Sequence, residues 1–207
     1  MKILDIGSNN GDFIKKYCDK NDFVVAVEAN SQLKNPINDL NIIWKNVAVS
    51  NNHGEKLNFY LATQNVLSSL NLNWLTSGRF NGCYSNNYIE VETTTIDKII
   101  EEYGVFDHIK LDVEGYEDKA IFGMTKNYNI PIQFEWANEW FNSVSIHVLN
   151  HLKSLNYSKF NVSYDGCRDY NPKFLPKTFL TYGELIATIE HQRSVNSDAW
   201  GMILARK

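Results

Sequence analysis

The segment Lys2–Asp12, KILDIGSNNGD, determines how the amino-terminal half of the chain is expected to fold. Its apolar residues Ile3, Leu4 and Ile6 form a run that is too short for a helix and is typical of a buried strand. The segment Gly7–Gly11 follows, and glycine adopts backbone angles that are closed to other residues. We therefore expect a strand that ends in a tight turn and leads into a helix, with room for a ligand at the turn.

The chemistry of this turn favours a ligand that carries both signs of charge. Backbone amides and the dipole at a helix start attract a carboxylate or phosphate, here beside Asn9, Asn10 and Gly11. Asp5, on the strand, would instead attract an amine. The turn does not match the GxGxxG pattern of dinucleotide-binding folds, which disfavours an NAD-dependent oxidoreductase. An amino-acid-bearing nucleotide fits better, and an ordinary turn without a ligand is the alternative.

A second acidic residue lies where a ribose is expected. The strand Phe23–Val27 is followed by Glu28 and Ala29. In a βαβ unit, an acidic residue at the tip of the second strand meets the two hydroxyls of a ribose. Glu28 is therefore predicted to bind a ribose, and a solvent-exposed strand end is the alternative. The end of the third strand, near Asn46 and Val47, is expected to border an adenine ring.

The composition is that of one ordinary domain with a small-molecule ligand. A chain of 207 residues with 43% apolar residues can bury a core, and we expect a single domain over residues 1–207. A net charge of -4 and a pI near 5.7 disfavour nucleic acid as a partner. No apolar run approaches membrane-spanning length and no signal peptide precedes the first strand, so we expect no membrane association and a cytoplasmic location.

The cysteines and a histidine pair give little support for a metal, and no metal site is predicted. The cysteines lack CxxC spacing and fit packing residues in a reducing compartment; they are Cys18, Cys83 and Cys167. His147 and His151 have the spacing of a zinc-binding helix within the helix expected at Trp140–Leu155. However, Val148 stands where a metalloprotease needs its glutamate.

The middle of the chain is expected to contain an extra β-hairpin. The patterns predict, in order, a helix over Ser31–Leu40, a strand over Ile42–Val49, and paired strands over Leu57–Ala62 and Tyr88–Thr94. The long segment Thr63–Asn87 lies between the paired strands, and a loop of that length is usually functional or disordered. Its aromatic residues either line an acceptor site or pin the loop down; they are Trp74, Phe80 and Tyr84.

The strand His108–Gly115, HIKLDVEG, is where chemistry is most expected. Lys110, Asp112 and Glu114 alternate along it and should point to one face, where a charge inside a covered sheet is unfavourable unless it is paired or used. The next strand, IQFEWAN, adds Glu135 near its carboxyl end. We expect the three carboxylates to converge at that edge of the sheet, and structural pairing of Lys110 with a carboxylate is the alternative.

The carboxyl-terminal part of the chain is expected to close the sheet. Two strands, Tyr157–Tyr164 and Ala199–Arg206, are joined by a long loop, Asp165–Tyr182, and a helix that begins where the loop ends. Arg168 and Tyr170 in this loop either contact an acceptor or lie at the surface.

Several of these segments, taken together, form a pattern with a fixed order. They are ILDIGSNNGDF, VVAVEAN, NVAVSNNHGEKLNFY, the SSL of residues 68–70, and TTIDKII followed by HIKLDVEGYEDKAIFGM. The pattern resembles the FkbM family of S-adenosylmethionine (SAM)-dependent methyltransferases over roughly residues 3–140, and IKLDVEGYE is its most specific part. The chain departs from the family at Ala29, where a proline often stands. It also lacks the segment that family members usually carry ahead of the first strand.

The resemblance implies a class I, Rossmann-like α/β methyltransferase fold. The sheet would have seven mostly parallel strands with an antiparallel last strand, and SAM would lie over the carboxyl ends of the first strands. The residues assigned to cofactor binding are Asp5, Gly7, Ser8, Asn9, Asn10, Gly11, Glu28, Ala29, Asn46, Val47 and Asp112. The catalytic candidates, near the methyl group, are Lys110, Asp112, Glu114 and Glu135.

The resulting hypothesis is methyl transfer from SAM to a hydroxyl of a sugar or another small metabolite. Asp112 and Glu114 are candidates for the base or the acceptor anchor, because the acceptor must be aligned and lose a proton. Lys110 would hold one of them in place, and Glu135 would orient the acceptor hydroxyl. The alternatives are an N-methyltransferase, an enzyme whose carboxylates hold a divalent ion, and a non-catalytic nucleotide-binding protein.

A further expectation concerns which part of the protein covers the cofactor site. Because the chain starts at its first strand, the cover has to come from Thr63–Asn87, from the loop 165–182 or from a second copy of the chain. We expect an open cofactor site, or a homodimer that closes it.

Overall fold

The computed structural model describes residues 1–164 and 169–207. Its strands are β1 (Lys2–Ile6), β2 (Phe23–Val27), β3 (Asn41–Lys45), β4 (Ala48–Val49), β5 (Lys56–Ala62), β6 (Tyr84–Thr94), β7 (His108–Leu111), β8 (Ile132–Ala137), β9 (Lys159–Val162) and β10 (Trp200–Arg206). Its α-helices are α1 (Asp12–Tyr17), α2 (Leu72–Thr76), α3 (Ile96–Tyr103), α4 (Glu117–Phe122), α5 (Ile146–Ser154) and α6 (Tyr182–Val195).

Seven of the strands form the main sheet, in the order β3-β2-β1-β7-β8-β10-β9. The first five of these run parallel to one another. β10 is antiparallel to both of its neighbours, β8 and β9. This is the arrangement that the family resemblance implies, and the expected α/β fold class is confirmed.

Side-chain alternation along β1 gives the two faces of the sheet different roles. Leu4 and Ile6 belong to the large apolar core, which also contains residues of α3, α4 and α5. Ile3 lies on the opposite face, in a smaller core with α1. Asp5 shares that face with Ile3 and is paired in register with Lys110 of β7. An acidic and a basic residue therefore lie side by side in the middle of the sheet.

The predicted hairpin insertion is present and forms a second, three-stranded sheet. β5 and β6 pair antiparallel, with Leu57 opposite Val91, and β4 adds in parallel to β6. β6 begins at Tyr84, four residues earlier than the sequence suggests. The segment between the paired strands folds into α2 flanked by two short 3-10 turns, Asn65–Leu67 and Gly78–Phe80.

The expectation of a helix over Ser31–Leu40 is wrong, since the segment has a turn at 31–32, irregular backbone at 33–37 and bends at 38–40. The side chain of Asn30 accepts a hydrogen bond from the amide of Gln32 at 3.0 Å, and Asn35 accepts one from Ile37 at 2.9 Å. Such local bonds occupy the amides that a helix would use. The proline within the segment removes a further amide donor.

Two strands are shorter than expected. The strand predicted over Ile42–Val49 is divided into β3, in the main sheet, and β4, in the small sheet. The strand predicted over His108–Gly115 ends at Leu111, and the amide of Val113 donates instead to the carboxylate of Glu117 at 2.9 Å. The chain thus leaves the sheet early and turns into α4.

The carboxyl-terminal third contains the two closing strands, β9 and β10, as expected. The helix predicted over Trp140–Leu155 is regular only in α5, because a 3-10 turn and a π-helix, Phe141–Ser145, come before it. Cys167 and Arg168, which the sequence singled out, lie outside the described residues. Within the described part of the chain, no helix has the length and apolar character that crossing a bilayer requires.

Candidate active site

The glycine turn, Gly7–Gly11, brings the ends of three strands into contact. The amides of Gly7 and Ser8 donate to the carbonyl of Val27, at the end of β2, at 2.9 and 3.1 Å. Gly7 has a φ of +79°, and a Cβ atom there would lie 1.7 Å from the carbonyl oxygen of Asp112, just after β7. Only glycine fits, because any side chain would collide with the backbone.

A cavity opens where these strand ends meet. Its volume is about 210 Å³, and it is open to solvent on one side. Most of the predicted site residues line it, namely Gly7, Ser8, Asn9, Asn10, Glu28, Ala29, Val47, Lys110, Asp112 and Glu114. The structure therefore brings together residues from the ends of β1, β2 and β7.

Glu28 lies in the wall of this cavity with both carboxylate oxygens bound to backbone. The amide of Asn9 donates to Oε2 at 2.8 Å, and the amide of Asn30 donates to Oε1 at 2.7 Å. Burial raises the pKa of Glu28, and these two hydrogen bonds oppose that effect. Each oxygen still has a lone pair with which it can accept a hydroxyl proton.

Two of the backbone amides in the glycine turn are not free to bind an anion. The amide of Asn9 serves Glu28, and the amide of Gly11 donates to the carbonyl of Ser8 at 2.7 Å. α1 begins at Asp12 and has only six residues. The expectation that these amides face a carboxylate or phosphate is therefore corrected for Asn9 and Gly11, whose amides bind the protein's own acceptors.

Lys110 lies between the glycine turn and the end of its own strand. Its ammonium group donates to the carbonyl of Gly7 at 3.1 Å, pairs with Asp112 at 3.1 Å and lies 3.7 Å from Asp5. Burial lowers the pKa of Lys110, but the carboxylates of Asp112 and Asp5 raise it above its ordinary value. Asp5 is fully buried and does not line the cavity, so the amine beside it is that of Lys110.

The carboxylate cluster, Asp112, Glu114 and Glu135, forms beside the cavity. One oxygen of each lies within 4.8 Å of the others, and all three side chains are half-buried. Burial raises the pKa of Glu114 and of Glu135 well above the ordinary value, and the neighbouring carboxylates raise it further. The predicted convergence is confirmed. No other group of three potential metal ligands occurs in the described part of the chain.

The loop after β5 holds Glu114 in place. Glu114 has a φ of +56°, which is uncommon for a residue with a side chain. The hydroxyl of Ser69 donates to the Glu114 carbonyl at 2.7 Å, and the side-chain amide of Asn71 donates to the carbonyl of Gly115 at 2.9 Å. These two hydrogen bonds fix the backbone that presents the Glu114 carboxylate.

Trp74 pins this loop to the rest of the protein. It is 1% exposed, and its ring centroid lies 4.8 Å from that of Phe80 and 5.8 Å from that of Trp140. A Cβ atom on Gly115 would lie 2.5 Å from the Trp74 ring, so the indole packs directly behind Glu114. Trp74 does not line the cavity.

Some predicted site residues lie outside the cavity. The side-chain amide of Asn46 donates to the carbonyls of Glu28, Asn30 and Leu33 at 3.1 to 3.2 Å, so it shapes the segment after β2. Gly11 precedes α1, and neither it nor Asn46 is among the lining residues. Glu135 belongs to the carboxylate cluster but also lies outside the lining.

The histidine pair of α5 contacts other groups of the protein. His147 lies 3.5 Å from the carboxylate of Asp118, and Nε2 of His151 lies 2.8 Å from the carbonyl of Met124. The two rings thus have separate partners.

Two loops contribute lining residues that the sequence analysis did not assign. Asn65, Val66, Ser68 and Leu70 follow β5, and the SSL motif already pointed to part of this loop. Asp169 follows β9, and no motif marks it. The hydroxyl of Tyr170, which was considered for the acceptor, donates instead to Asn161 at 2.8 Å, and Tyr170 does not line the cavity.

A comparison with protein families identifies the family of this chain. The family model described as the methyltransferase FkbM domain matches residues 5–159, from within β1 to the start of β9. The chain belongs to the FkbM methyltransferase family. It is accordingly a SAM-dependent methyltransferase, and both the expected family and the expected cofactor are confirmed.

Two solved structures show a distant similarity to this FkbM methyltransferase. Precorrin-6y C5,15-methyltransferase from Geobacter metallireducens GS-15 matches with 11% identity and a TM-score of 0.46, covering 100% of this chain and 81% of its own. The plantazolicin methyltransferase BpumL, in complex with SAH, matches with 10% identity and a TM-score of 0.39, covering 100% and 76%. A search among curated proteins gave no significant match.

Proposed function

We propose that SAM binds in the cavity with its ribose hydroxyls on Glu28 and its adenine against Ala29 and Val47. Glu28 is suited to this role because its carboxylate is held by two backbone amides and faces the cavity. Ala29, Val47 and Phe59 provide apolar surface for a flat ring. The wall also contains more carboxylates than ammonium groups, which suits the positive sulfonium of SAM.

We further propose that the acceptor is a hydroxyl on a sugar or another small metabolite. SAM supplies a reactive methyl group when bound, so the protein has to align the acceptor oxygen and remove its proton. Asp112 and Glu114 line the cavity beside the glycine turn, and either one can accept this proton or anchor the acceptor. Glu135 lies within the same cluster and orients the acceptor hydroxyl.

The observation that carries this proposal is the environment of the carboxylate cluster. Because burial and neighbouring charges raise the pKa of Glu114, its carboxylate is a stronger base than an exposed one. A general base works best when its pKa lies near the operating pH. Lys110 pairs with Asp112 at 3.1 Å and so fixes the position of one member of the cluster.

A methyl-transfer assay tests the proposal. The protein is incubated with methyl-labelled SAM and separate pools of sugars, hydroxylated metabolites and amines, and the products are located by mass spectrometry and NMR. We expect label in a methyl ether, and label on nitrogen would contradict O-methylation. Asp112→Asn should abolish the transfer. Glu90→Gln, at an exposed carboxylate of β6 outside the cavity, is the matched control and should remain active.

Metal-assisted transfer is the second candidate, favoured by the same cluster. Three carboxylates with oxygens within 4.8 Å of one another offer the hard oxygen ligands that Mg²⁺ and similar ions prefer. Such an ion would lower the pKa of a bound hydroxyl and so replace the carboxylate base. Loss of activity in a chelator, restored by Mg²⁺ or Mn²⁺, would support this candidate. Full activity in the chelator would support a carboxylate base.

A further inference from the structure

Asp169 enters the cavity from a loop that is distant in sequence from the other lining residues. It belongs to the connection between β9 and α6, and it lines the same cavity as the glycine turn and Lys110. Burial raises the pKa of Asp169, and Lys110 and Lys16 oppose this effect. Neither lysine forms an ion pair with it, nor does any other residue in the described ranges. Asp169 therefore presents a carboxylate to the cavity without a counter-ion in contact among the described residues.

The backbone around Asp169 is fixed by hydrogen bonds. Gln133 of β8 is fully buried, and its Oε1 accepts from the amide of Tyr170 at 2.7 Å while its Nε2 donates to the Tyr170 carbonyl at 3.0 Å. The hydroxyl of Tyr17 in α1 donates to the carbonyl of Asp169 at 3.1 Å. The position of Asp169 thus depends on both the sheet and the first helix.

The other acidic groups on this side of the cavity already have a cation. The ammonium group of Lys110 lies between Asp5 and Asp112 and also donates to the carbonyl of Gly7. Asp5 is fully buried beneath Lys110 and cannot reach a ligand. Asp169 is therefore the carboxylate at this end that is available to a second positive group.

We propose that Asp169 binds the α-ammonium group of the methionine portion of SAM. This inference rests on the proposed binding of SAM in the cavity. With the ribose on Glu28 at the end of β2, the rest of the cofactor extends across the glycine turn of β1 towards β7, because β1 lies between these strands. Asp169 lies on that far side, beside Lys110, and takes the role of amine ligand that the sequence suggested for Asp5.

The proposal predicts a selective effect on ligands that carry the amino group. A hydrogen bond between an ammonium group and a carboxylate is stronger than a neutral one, and its loss corresponds to about 10- to 100-fold in affinity. S-adenosylhomocysteine has the amino-acid portion. 5′-Methylthioadenosine has the same adenine, ribose and sulfur but lacks it.

Isothermal titration calorimetry with these two compounds tests the proposal on the whole chain. Asp169→Asn should bind S-adenosylhomocysteine about 10- to 100-fold more weakly and 5′-methylthioadenosine within about 2-fold of the parent protein. Asp169→Glu retains the charge and should keep more affinity for S-adenosylhomocysteine than the asparagine variant. Asp39→Asn, at an exposed carboxylate outside the cavity, is the matched control and should leave both affinities unchanged.

The outcomes separate this proposal from the one on which it rests. Equal weakening of both ligands, or unchanged binding of S-adenosylhomocysteine, would overturn the role of Asp169 while leaving the cofactor site intact. A parent protein that binds neither compound would overturn the cofactor site itself. Thermal unfolding of each variant, measured without ligand, confirms that the comparison is made between folded proteins.

Discussion

Glu28 and the carboxylate cluster lie near the same cavity but differ in how their charges are satisfied. Glu28 accepts a backbone amide on each oxygen, so its geometry is set by the main chain. In the cluster, only Asp112 has an ion pair, with Lys110. Glu114 and Glu135 have mainly other carboxylates as neighbours and form no ion pair with a described residue.

This difference suits the two regions to the separate roles that we propose for them, cofactor binding and proton transfer. A carboxylate held by amides is ready to accept hydroxyl protons without moving, which suits a cofactor that must bind in one orientation. Carboxylates that repel one another change their protonation easily, which suits a group that takes a proton or holds a cation. The two regions meet at Gly7 and Asp112, where the turn after β1 touches the end of β7.

The largest effect is expected at that meeting point. Gly7→Ala places a methyl group 1.7 Å from the Asp112 carbonyl and should lower the free energy of unfolding by roughly 3 kcal/mol or more and abolish SAM binding. Gly54→Ala is the control, because Gly54 has the same φ of +79° with no atom within 4 Å of the added methyl. It should lose only about 1–2 kcal/mol in chemical denaturation. Equal losses of unfolding free energy in the two variants would show that the contact between Gly7 and Asp112 is not tight.

The next largest effect is expected in the carboxylate cluster, where a substitution should change the reaction rate but not the affinity for the cofactor. Glu114→Gln should lower the rate of methyl transfer by about 100- to 10,000-fold, because a general base is lost. The affinity for S-adenosylhomocysteine should stay within about 3-fold, since Glu28 is untouched. Because the pKa of Glu114 is raised, the parent rate should climb with pH through that raised value as the base loses its proton. A variant with the parent pH profile would exclude Glu114 as the base.

Glu28→Gln should produce the opposite pattern. It should lower the affinity for S-adenosylhomocysteine by about 100-fold, because one ribose hydrogen bond and one backbone hydrogen bond of Glu28 are lost. Methyl transfer at saturating SAM should change much less. If the rate at saturation falls as far as in Glu114→Gln, the division between a binding region and a chemical region is wrong.

The smallest effect is expected at His108, a buried polar residue that belongs neither to the Glu28 site nor to the carboxylate cluster. Its Nε2 lies 2.7 Å from Nε2 of Gln133, and burial lowers its pKa to about 3. The unfolded chain binds a proton near pH 6.5 while the folded chain does not, so stability falls as pH drops from 6.5 towards 3. Between pH 7 and pH 5, the free energy of unfolding in urea should fall by about 2 kcal/mol more for the parent than for His108→Gln. Identical pH dependence would contradict a neutral His108.

The sequence predicts best what depends on strand ends. Gly7 and Glu28 follow β1 and β2, Asp112 and Glu114 follow β7, and Glu135 lies near the carboxyl end of β8. Parallel strands bring such residues to one edge of the sheet. The direction in which a side chain points is not encoded in this way. Asn46 has the expected place in the chain, but its amide turns back to three carbonyls after β2.

Residues that reach the cavity across the fold are the least predictable. Asp169 lies beside the cavity because Gln133 holds the backbone of Tyr170, a contact between residues far apart in sequence. The helix expected at Ser31–Leu40 fails for a local reason, since asparagine side chains there take up backbone amides. Neither effect leaves a periodic pattern that a sequence could reveal.

The way in which the small sheet is attached has a consequence for how such enzymes diversify. Its attachments to the remainder of the protein include β4, the hydrogen bonds that Ser69 and Asn71 give to the turn at 114–115, and the packing of Trp74 against Trp140. Residues 63–66, after β5, are exposed and take no part in these attachments, and Asn65 and Val66 among them line the cavity. Substitutions there can therefore reshape what borders the cavity while Asp112 and Glu114 keep their places, so a lineage can change which molecules fit without rebuilding the carboxylate cluster.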